Sequence, residues 1–385
     1  MRLLFIEWKS IGNDYIKKEF QNMGCEVVSY STTNTTDDTE KEASDLVNVI
    51  LREQPDFVFS FNYFVYAAIA CQACKVMYVS WTYDSPYVQL FSKTITYPTN
   101  LAFVFDNEIV EKLNSLGADN VFHLPLCAPV DVYDKLIPSD AQHKLYDSSI
   151  SLVGSTYSEN KNDLFGRYIA ADEYTNGYLE GLLRSQQHIF GMSILEKGLT
   201  KNITEKLGSL YSINPNGYET PEWIIANYIL ARKLTSYERF DYLQMLGDKF
   251  ENVSIFTHEQ TPGLSRVANK GILDYYSQMP YAFKCSAINL NISLRSIVNA
   301  IPLRVFDIMG CDSFCLSSFQ GELFDYFTPG EDFDYYDSSK SLIDKCDYYL
   351  KNDKERQEIA HNAYLKVKQN HTYKQRVETI LNFLC

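Results

Sequence analysis

Short apolar runs, each closed by a turn and followed by an amphipathic stretch, recur from the first residues of the chain. Arg2–Trp8, Glu26–Tyr30, Asp56–Phe61, Val76–Trp81, Leu101–Phe105 and Val121–Leu124 read as buried strands. A polar turn, Lys9–Asn13, leads into an amphipathic helix ending at Gly24, and a loop rich in Thr, Asp and Glu precedes a helix over Ala43–Arg52. Strands that are apolar throughout and alternate with helices imply a parallel sheet covered on both faces. A Rossmann-like domain over residues 1–135 follows from that order.

The pattern starts again after a polar stretch, Asp131–Ser149, which contains Pro138 and reads as a linker. Ile150–Val153 is a strand and Gly154-Ser155 its turn, and helical periodicity then dominates to about residue 250. Within it, Thr220-Pro221-Glu222 marks a helix start, with Thr as the cap and Pro at the first helical position, and Ser236 reads as opening another helix. Val253–Thr257, Ala287–Ile292, Ser313–Leu316 and Phe333–Tyr336 are the later strands, and the tail from Ser341 is helical. The expected architecture is α/β of the GT-B class, two Rossmann-like domains in tandem. It comprises an acceptor-side domain over 1–135, a nucleotide-sugar domain over 148–365 with a helical insertion at about 160–250, and a closing helix over 366–385. Ligands are expected in an interdomain cleft, at the carboxyl ends of the strands.

A chain of 385 residues suits two domains. Its net charge of −14 argues against a nucleic-acid partner, although a few converging arginines or a helix start can still hold phosphate. Nine cysteines, an odd number without framework spacing, point to reduced thiols in a cytoplasm. Cys71-Gln-Ala-Cys74 lies in an apolar stretch, Phe64 to Val76, that reads as a buried helix, with no second pair or histidines to complete a metal site. The opening Met-Arg-Leu-Leu-Phe-Ile-Glu-Trp is too soon charged for a signal peptide, and no run reaches the length of a transmembrane segment. The 29 Tyr and 23 Phe serve cores and can equally stack on sugar rings. Nothing in the sequence sets an oligomeric state.

Common catalytic signatures are missing: no GxGxxG, Walker A, HExxH or GxSxG occurs. Asp332-Phe-Asp334 matches a metal-binding DxD but enters a strand late in the chain, so it is read as coincidence and no metal is expected. The informative stretch is Ala287–Ser317. There a strand runs into a helix started by Pro302, whose free N–H groups near Ala300–Arg304 point outward with Arg295 and Arg304 beside them. Such a helix start is a sound diphosphate cradle, and Asp307 could accept hydrogen bonds from ribose hydroxyls. An ordinary amphipathic helix with surface arginines fits the same residues, and pattern alone leaves both readings open.

The run Asn291-Ile-Ser-Leu-Arg-Ser-Ile to Ile301-Pro-Leu-Arg-Val-Phe-Asp-Ile-Met-Gly resembles the C-terminal domain of the CgeB-like (spore-maturation) glycosyltransferases, of the group-1, GT-B type. The resemblance continues through Ser317-Ser-Phe-Gln-Gly-Glu-Leu, Tyr326-Phe-Thr-Pro-Gly-Glu and His371-Thr-Tyr with Arg376-Val. In the N-terminal half it rests on Leu4-Phe-Ile-Glu-Trp-Lys-Ser and Ser80-Trp-Thr-Tyr-Asp-Ser-Pro86. It implies transfer of a sugar from a nucleotide-diphosphate donor, with no separate cofactor, to a saccharide, glycan or protein acceptor of bacterial glycan biosynthesis. Asn291 and Ser293 fall in its donor-binding run. Asp307 falls where the group carries the second acid of a Glu-x7-Glu pair, the one that grips ribose. Asn299 stands at the first acid and Ala300 at the neighbouring glycine, and Asp312-Ser313 replaces a Gly-rich turn, so the pair is not intact. Gly154 and Ser155 are implied beside the nucleotide, and Thr257, His258 and Tyr281 beside its base or ribose.

In the N-terminal domain the turn Trp8–Asn13 ends the first strand, where Trp8 can stack on a sugar and Asn13 can bond hydroxyls, or the turn can be an ordinary cap. Tyr83-Asp84-Ser85-Pro86 ends the fourth strand. Asp84 is the acid expected to meet the acceptor, as a base or as an orienting group, and a plain turn-initiating Asp is the alternative. Arg295 and Arg304 are then expected to neutralise the departing diphosphate. The broken acid pair also admits a non-catalytic GT-B scaffold or carbohydrate-binding protein. An epimerase-like enzyme acting on the nucleotide sugar alone is a further alternative.

Overall fold

The computed structural model describes residues 1–32, 39–158 and 171–384. The polar loop expected after the second strand, the beginning of the helical insertion and Cys385 lie largely or wholly outside them. The chain forms two compact units. One consists of Met1–Cys127, Pro215–Glu219 and His371–Cys385, the other of Ala128–Asn214 and Thr220–Asn370.

The first unit holds a six-stranded sheet in the order β2-β1-β3-β4-β5-β6. The strands are β1 (Arg2–Glu7), β2 (Glu26–Ser31), β3 (Phe57–Phe61), β4 (Met77–Thr82), β5 (Asn100–Val104) and β6 (Val121–His123). Every pairing is parallel. Helices α1 (Asn13–Asn22), α2 (Thr39–Glu53), α3 (Val65–Cys74) and α4 (Asn107–Ser115) supply the crossovers. Because both faces are covered, β3 and β5 are buried at every position, which is why they read as apolar throughout rather than alternating. Phe5 stacks on Phe59 at 5.4 Å, and Phe20 of α1 packs against Phe57 and Phe59. Cys71 is sealed inside α3 and its thiol pushed well up by burial, in keeping with the helix reading of the CxxC. Gly12 turns the chain into α1 at φ +88°, a left-handed conformation, and a Cβ there would collide with the hydroxyl of Tyr373.

The second unit holds the sheet β12-β11-β10-β7-β8-β9. Its strands are β7 (Ser148–Val153), β8 (Val253–Phe256), β9 (Ala268–Asn269), β10 (Ser286–Asn291), β11 (Cys315–Ser318) and β12 (Asp334–Tyr336), again all parallel. The exposed two-residue edge strand β9 has no apolar pattern to announce it. β11 starts two residues later than its apolar run suggests, because Asp312 takes a left-handed turn and pairing with β10 begins at Cys315. The stretch read as a linker carries α5 (Val130–Tyr133) and α6 (Asp140–Tyr146).

The helical insertion contributes α7 (Glu173–Gln187), α8 (Lys201–Tyr211), α9 (Pro221–Ile224) and α10 (Ala231–Lys249). Thr220 caps α9, accepting from the Trp223 amide at 3.1 Å, as its sequence signals. Ser236 does not open a helix: a π turn, Ile225–Leu230, joins α9 to α10 and Ser236 lies buried in the interior of α10. With no hydroxyl cap needed there, the small side chain serves packing. The insertion has its own core around Leu183, Leu207 and Leu230.

The remaining helices are α11 (Met279–Lys284), α12 (Leu303–Gly310), α13 (Leu323–Tyr326), α14 (Ser339–Lys351), α15 (Asp353–Asn370) and α16 (Tyr373–Leu384). The last belongs to the first unit and packs on α1. Arg376 anchors it there, donating to Pro125 O at 2.6 Å, to Leu126 O at 3.0 Å and to His371 Nδ1 at 2.6 Å. The resemblance motif His371-Thr-Tyr with Arg376 therefore has a structural use. Asp332 and Asp334 are buried and each ion-paired, to Lys366 and Lys345. Among the described residues no helix is long and apolar enough to cross a membrane.

Candidate functional site

In the first unit the four residues expected on the acceptor side come together at the carboxyl ends of β1, β3 and β4. Trp8 and Tyr83 lie parallel with ring centroids 6.3 Å apart, and the Trp8 indole N–H donates to Phe61 O at 2.8 Å. The Ile11 amide donates to the Tyr83 hydroxyl at 3.3 Å, closing the turn over β4. Asn13 is buried at the start of α1, where its amide donates to Trp8 O at 2.8 Å and its carbonyl accepts from Ser10 Oγ. Those bonds commit Asn13 to shaping the turn. Asp84 is exposed, and its Oδ2 accepts from Asn62 Nδ2 at 2.7 Å. Asn62, fully buried at φ +58°, also accepts from the Tyr83 amide at 3.1 Å through its Oδ1. The bond from Asn62 orients the Asp84 carboxylate at the end of β4. Asn62 was not singled out in the sequence, where nothing distinguishes it from any other loop Asn.

In the second unit Gly154 leaves β7 at φ +151°, which favours glycine, and a Cβ would sit 3.2 Å from Arg239 Nη1. Ser155 donates to Glu259 Oε1 at 2.6 Å, and Thr156 reaches the same carboxylate through both its amide and its hydroxyl. Thr257 is buried at the end of β8 and accepts from the Glu259 amide at 3.3 Å, whereas His258 is exposed. Asn291 and Ser293, at the end of β10, are buried in a hydroxyl network. Asn291 Nδ2 donates to Ser293 Oγ and Ser317 Oγ, both at 2.9 Å, and the Ser293 amide donates to Ser318 Oγ at 3.2 Å. These groups form one layer over the ends of β7, β8, β10 and β11.

Helix α12 begins after Pro302, which acts as its cap, close to where the sequence places it. Arg304 is partly exposed in the first turn, beside the Met279 sulfur and 5.5 Å from the Phe283 ring centroid. Asp307, one turn on, is sealed at 1% exposure. Its Oδ1 accepts from Tyr133 at 2.9 Å and Tyr275 at 2.8 Å, and its Oδ2 faces Arg304 at 3.4 Å. Burial pushes this carboxyl up, against the opposing pull of Arg304 and the two hydroxyls. A ribose would have to displace Tyr275 to reach it. Tyr275 was missed in the sequence, where Tyr281 was singled out instead; Tyr281 packs beside Tyr146, Phe256 and Cys285. Asn299 donates to Gly191 O at 3.2 Å and Ala300 is fully buried, so the positions of the lost acid and glycine carry packing contacts.

Arg295 lies elsewhere than expected for a diphosphate ligand. Its Nε donates to both Glu238 oxygens, at 2.9 and 3.0 Å, and Nη2 lies 2.8 Å from Oε1. Nη1 reaches Ile189 O and Nη2 reaches Gln186 O and Gln187 O, each at 3.3 Å, while the guanidinium covers the Phe190 ring at 4.0 Å. The partners come from α10 and from the end of α7, pairings that spacing in sequence cannot reveal. Burial pushes the Glu238 carboxyl up, opposed by Arg295.

Two parallel six-stranded sheets with flanking helices match solved structures of the GT-B class, and the fold is GT-B. One is sucrose-phosphate synthase from Thermosynechococcus elongatus, with a TM-score of 0.56 at 10% identity over 100% of this chain and 99% of that one. Another is HepE from Anabaena in complex with UDP-glucose, with a TM-score of 0.54 at 10% identity over 99% of both chains. A glycosyltransferase from Rickettsia africae ESF-5 gives 0.51 at 10% identity over 100% and 97%. Identity this low speaks for the fold alone. Residues 242–382 match the family described as glycosyl transferase-like. No curated protein matches the chain.

Proposed function

We propose that the protein transfers a sugar from a nucleoside-diphosphate donor to a hydroxyl of a saccharide, glycan or protein acceptor, as a CgeB-like relative of the group-1 transferases. The match of residues 242–382 to the glycosyl transferase-like family carries this reading, because that stretch contains β8, β10, β11 and α12, whose ends hold the polar layer and Arg304. In this reading the second unit takes the donor, with Arg304 and the α12 start facing the charge that grows on the leaving diphosphate. The first unit takes the acceptor: the Trp8–Tyr83 pair offers an apolar face to a sugar ring, and Asp84 meets the acceptor hydroxyl. The donor named in the HepE structure makes UDP-glucose the first compound to try, alongside GDP- and TDP-sugars.

Calorimetry and donor-hydrolysis assays with that panel test the reading; absence of binding and turnover for every member would reject it. Asp84→Asn keeps the hydrogen bond from Asn62 but removes the basic oxygen. It is expected to lower kcat about 100-fold with donor affinity unchanged. An Asp84→Asn enzyme as fast as the parent would leave Asp84 a turn residue.

A further inference from the structure

The first unit carries a groove of about 400 Å³ beside the Trp8–Tyr83 pair. Phe64 joins the two: its ring stands edge-on to Trp8 at 5.8 Å and also lines the groove, stacked on Tyr66 at 5.4 Å. Val65, which starts α3, and Val88, 38% exposed, add apolar surface. Val88 belongs to a single helical turn, Val88–Phe91, that also brings Gln89 to the lining. Gln89 Oε1 accepts from the Val65 amide at 3.1 Å, and Ser92 Oγ accepts from the Thr94 hydroxyl at 3.0 Å. Both side chains serve as acceptors inside the protein, which leaves them N–H and O–H groups to offer the groove.

Another part of the lining comes from Pro215–Glu219, the link between α8 and α9, which belongs to the first unit and contributes Asn216. That link is seated on the Val88–Phe91 turn. The Tyr218 amide donates to Phe91 O at 2.7 Å, and a Cβ on Gly217 would collide with the same carbonyl. The buried Glu219 carboxylate folds the link by accepting from the Asn216 and Gly217 amides at 3.0 and 3.3 Å. A wall fastened in this way is preorganised for a ligand. Among the described residues the charged members of the lining, Glu42 and Lys93, are of opposite sign.

We propose that this groove holds the second sugar unit of the acceptor, so that the substrate is a glycan and not a lone monosaccharide or an unglycosylated protein. Apolar surface interrupted by a few fixed donors suits the face and the hydroxyls of a sugar ring. Balanced charge suits a neutral sugar over a phosphorylated or acidic one. The sugar that carries the reacting hydroxyl lies against Trp8 and Tyr83, and the next passes Phe64 into the groove, where Gln89 and Asn216 bond its hydroxyls. This subsite rests on the acceptor reading above and deepens it by naming the acceptor's class.

The test is an array of mono-, di- and trisaccharides probed with the full chain, followed by calorimetry of the strongest disaccharide and of the methyl glycoside of its terminal unit. The disaccharide is expected to bind about tenfold tighter than the methyl glycoside, as the added hydrogen bonds imply. Gln89→Met keeps the length of the side chain without its N–H groups, and Asn216→Ala truncates an exposed residue. Each is expected to shrink that ratio about threefold or more. Should Gln89→Met fail to fold, Asn216→Ala decides alone. An array on which no disaccharide outbinds a monosaccharide overturns the proposal, and so does a ratio that survives in either folded variant. Length-dependent binding that needs both residues, in a chain that turns over no nucleotide-sugar donor, upholds the groove and removes the transferase reading. Donor turnover without any preference for acceptor length does the reverse.

Discussion

Removing one partner of the Glu238–Arg295 pair is expected to lower the unfolding free energy by about 3–5 kcal/mol. Glu238 is 2% and Arg295 11% exposed in their side chains, so water cannot take over the bonds that are lost. In Glu238→Leu a guanidinium is left against three backbone carbonyls and a phenyl ring with no counter-charge. In Arg295→Met a carboxylate already pushed up by burial loses what holds it ionised. The double variant replaces both charges with apolar groups and is expected to be more stable than either single one, because the cost lies in the stranded partner. Urea unfolding of the four proteins measures the coupling. Simple additivity of the two single losses would mean that the pair contributes no coupling energy. Arg295→Met, if folded, is expected to keep nucleoside-diphosphate affinity within about threefold, because the guanidinium is already committed to Glu238 and to backbone carbonyls. A selective loss of that affinity would put the guanidinium back at the donor.

The second large effect is a loss of stability in acid that runs through His371. Burial first, and then the adjacent Arg376, lower its pKa from 6.5 to about 3. Between those values the unfolded chain binds a proton at His371 that the folded chain refuses. Stability from this group is therefore complete above pH 6.5 and falls as pH drops toward 3, by at most about 1.4 kcal/mol per pH unit. Protonation would also place a second positive charge on the atom that accepts from Arg376, loosening the bonds to Pro125 O and Leu126 O that seat α16. His371→Asn keeps a hydrogen-bond acceptor near Nδ1 and cannot titrate. Urea unfolding at pH 7, 6 and 5 is expected to show the parent losing about 1 kcal/mol per pH unit more than His371→Asn. Equal slopes would mean that His371 is not the acid-sensitive group.

The legible part of this protein is its strand order. Runs such as Phe57-Val-Phe-Ser-Phe61 and Ser286-Ala-Ile-Asn-Leu-Asn291 announce themselves because both faces of a parallel sheet are covered. Boundaries drift where pairing rather than hydrophobicity sets them, as at β11, and β9 left no trace because two exposed residues bury nothing. The meeting of Trp8, Tyr83 and Asp84 was legible for the same reason: they close turns at strand ends, which strand order brings together. Capping at Thr220-Pro221 was legible because its bonds join neighbouring residues, whereas Ser236 misled because a cap and a buried helical serine look alike in sequence.

Charge partnership was settled at another level. Arg295 and Arg304 look equivalent in sequence, yet one meets Glu238 from a helix 57 positions away and the other remains partly exposed at the start of α12. Arg239 looks like an ordinary helix-surface arginine, yet the fold buries it against the carbonyls of Ser155 and Ile292, just past the ends of β7 and β10. Asp307 carries its motif position plainly, but its hydroxyl partners, Tyr133 and Tyr275, come from segments the motif does not touch. The chain's own alternation of apolar strands and helices determined two parallel sheets and where their carboxyl ends lie. Which partners the cations near those ends meet was decided by tertiary contact, because the field at a guanidinium depends on what is brought within a few ångströms of it and not on its neighbours along the chain.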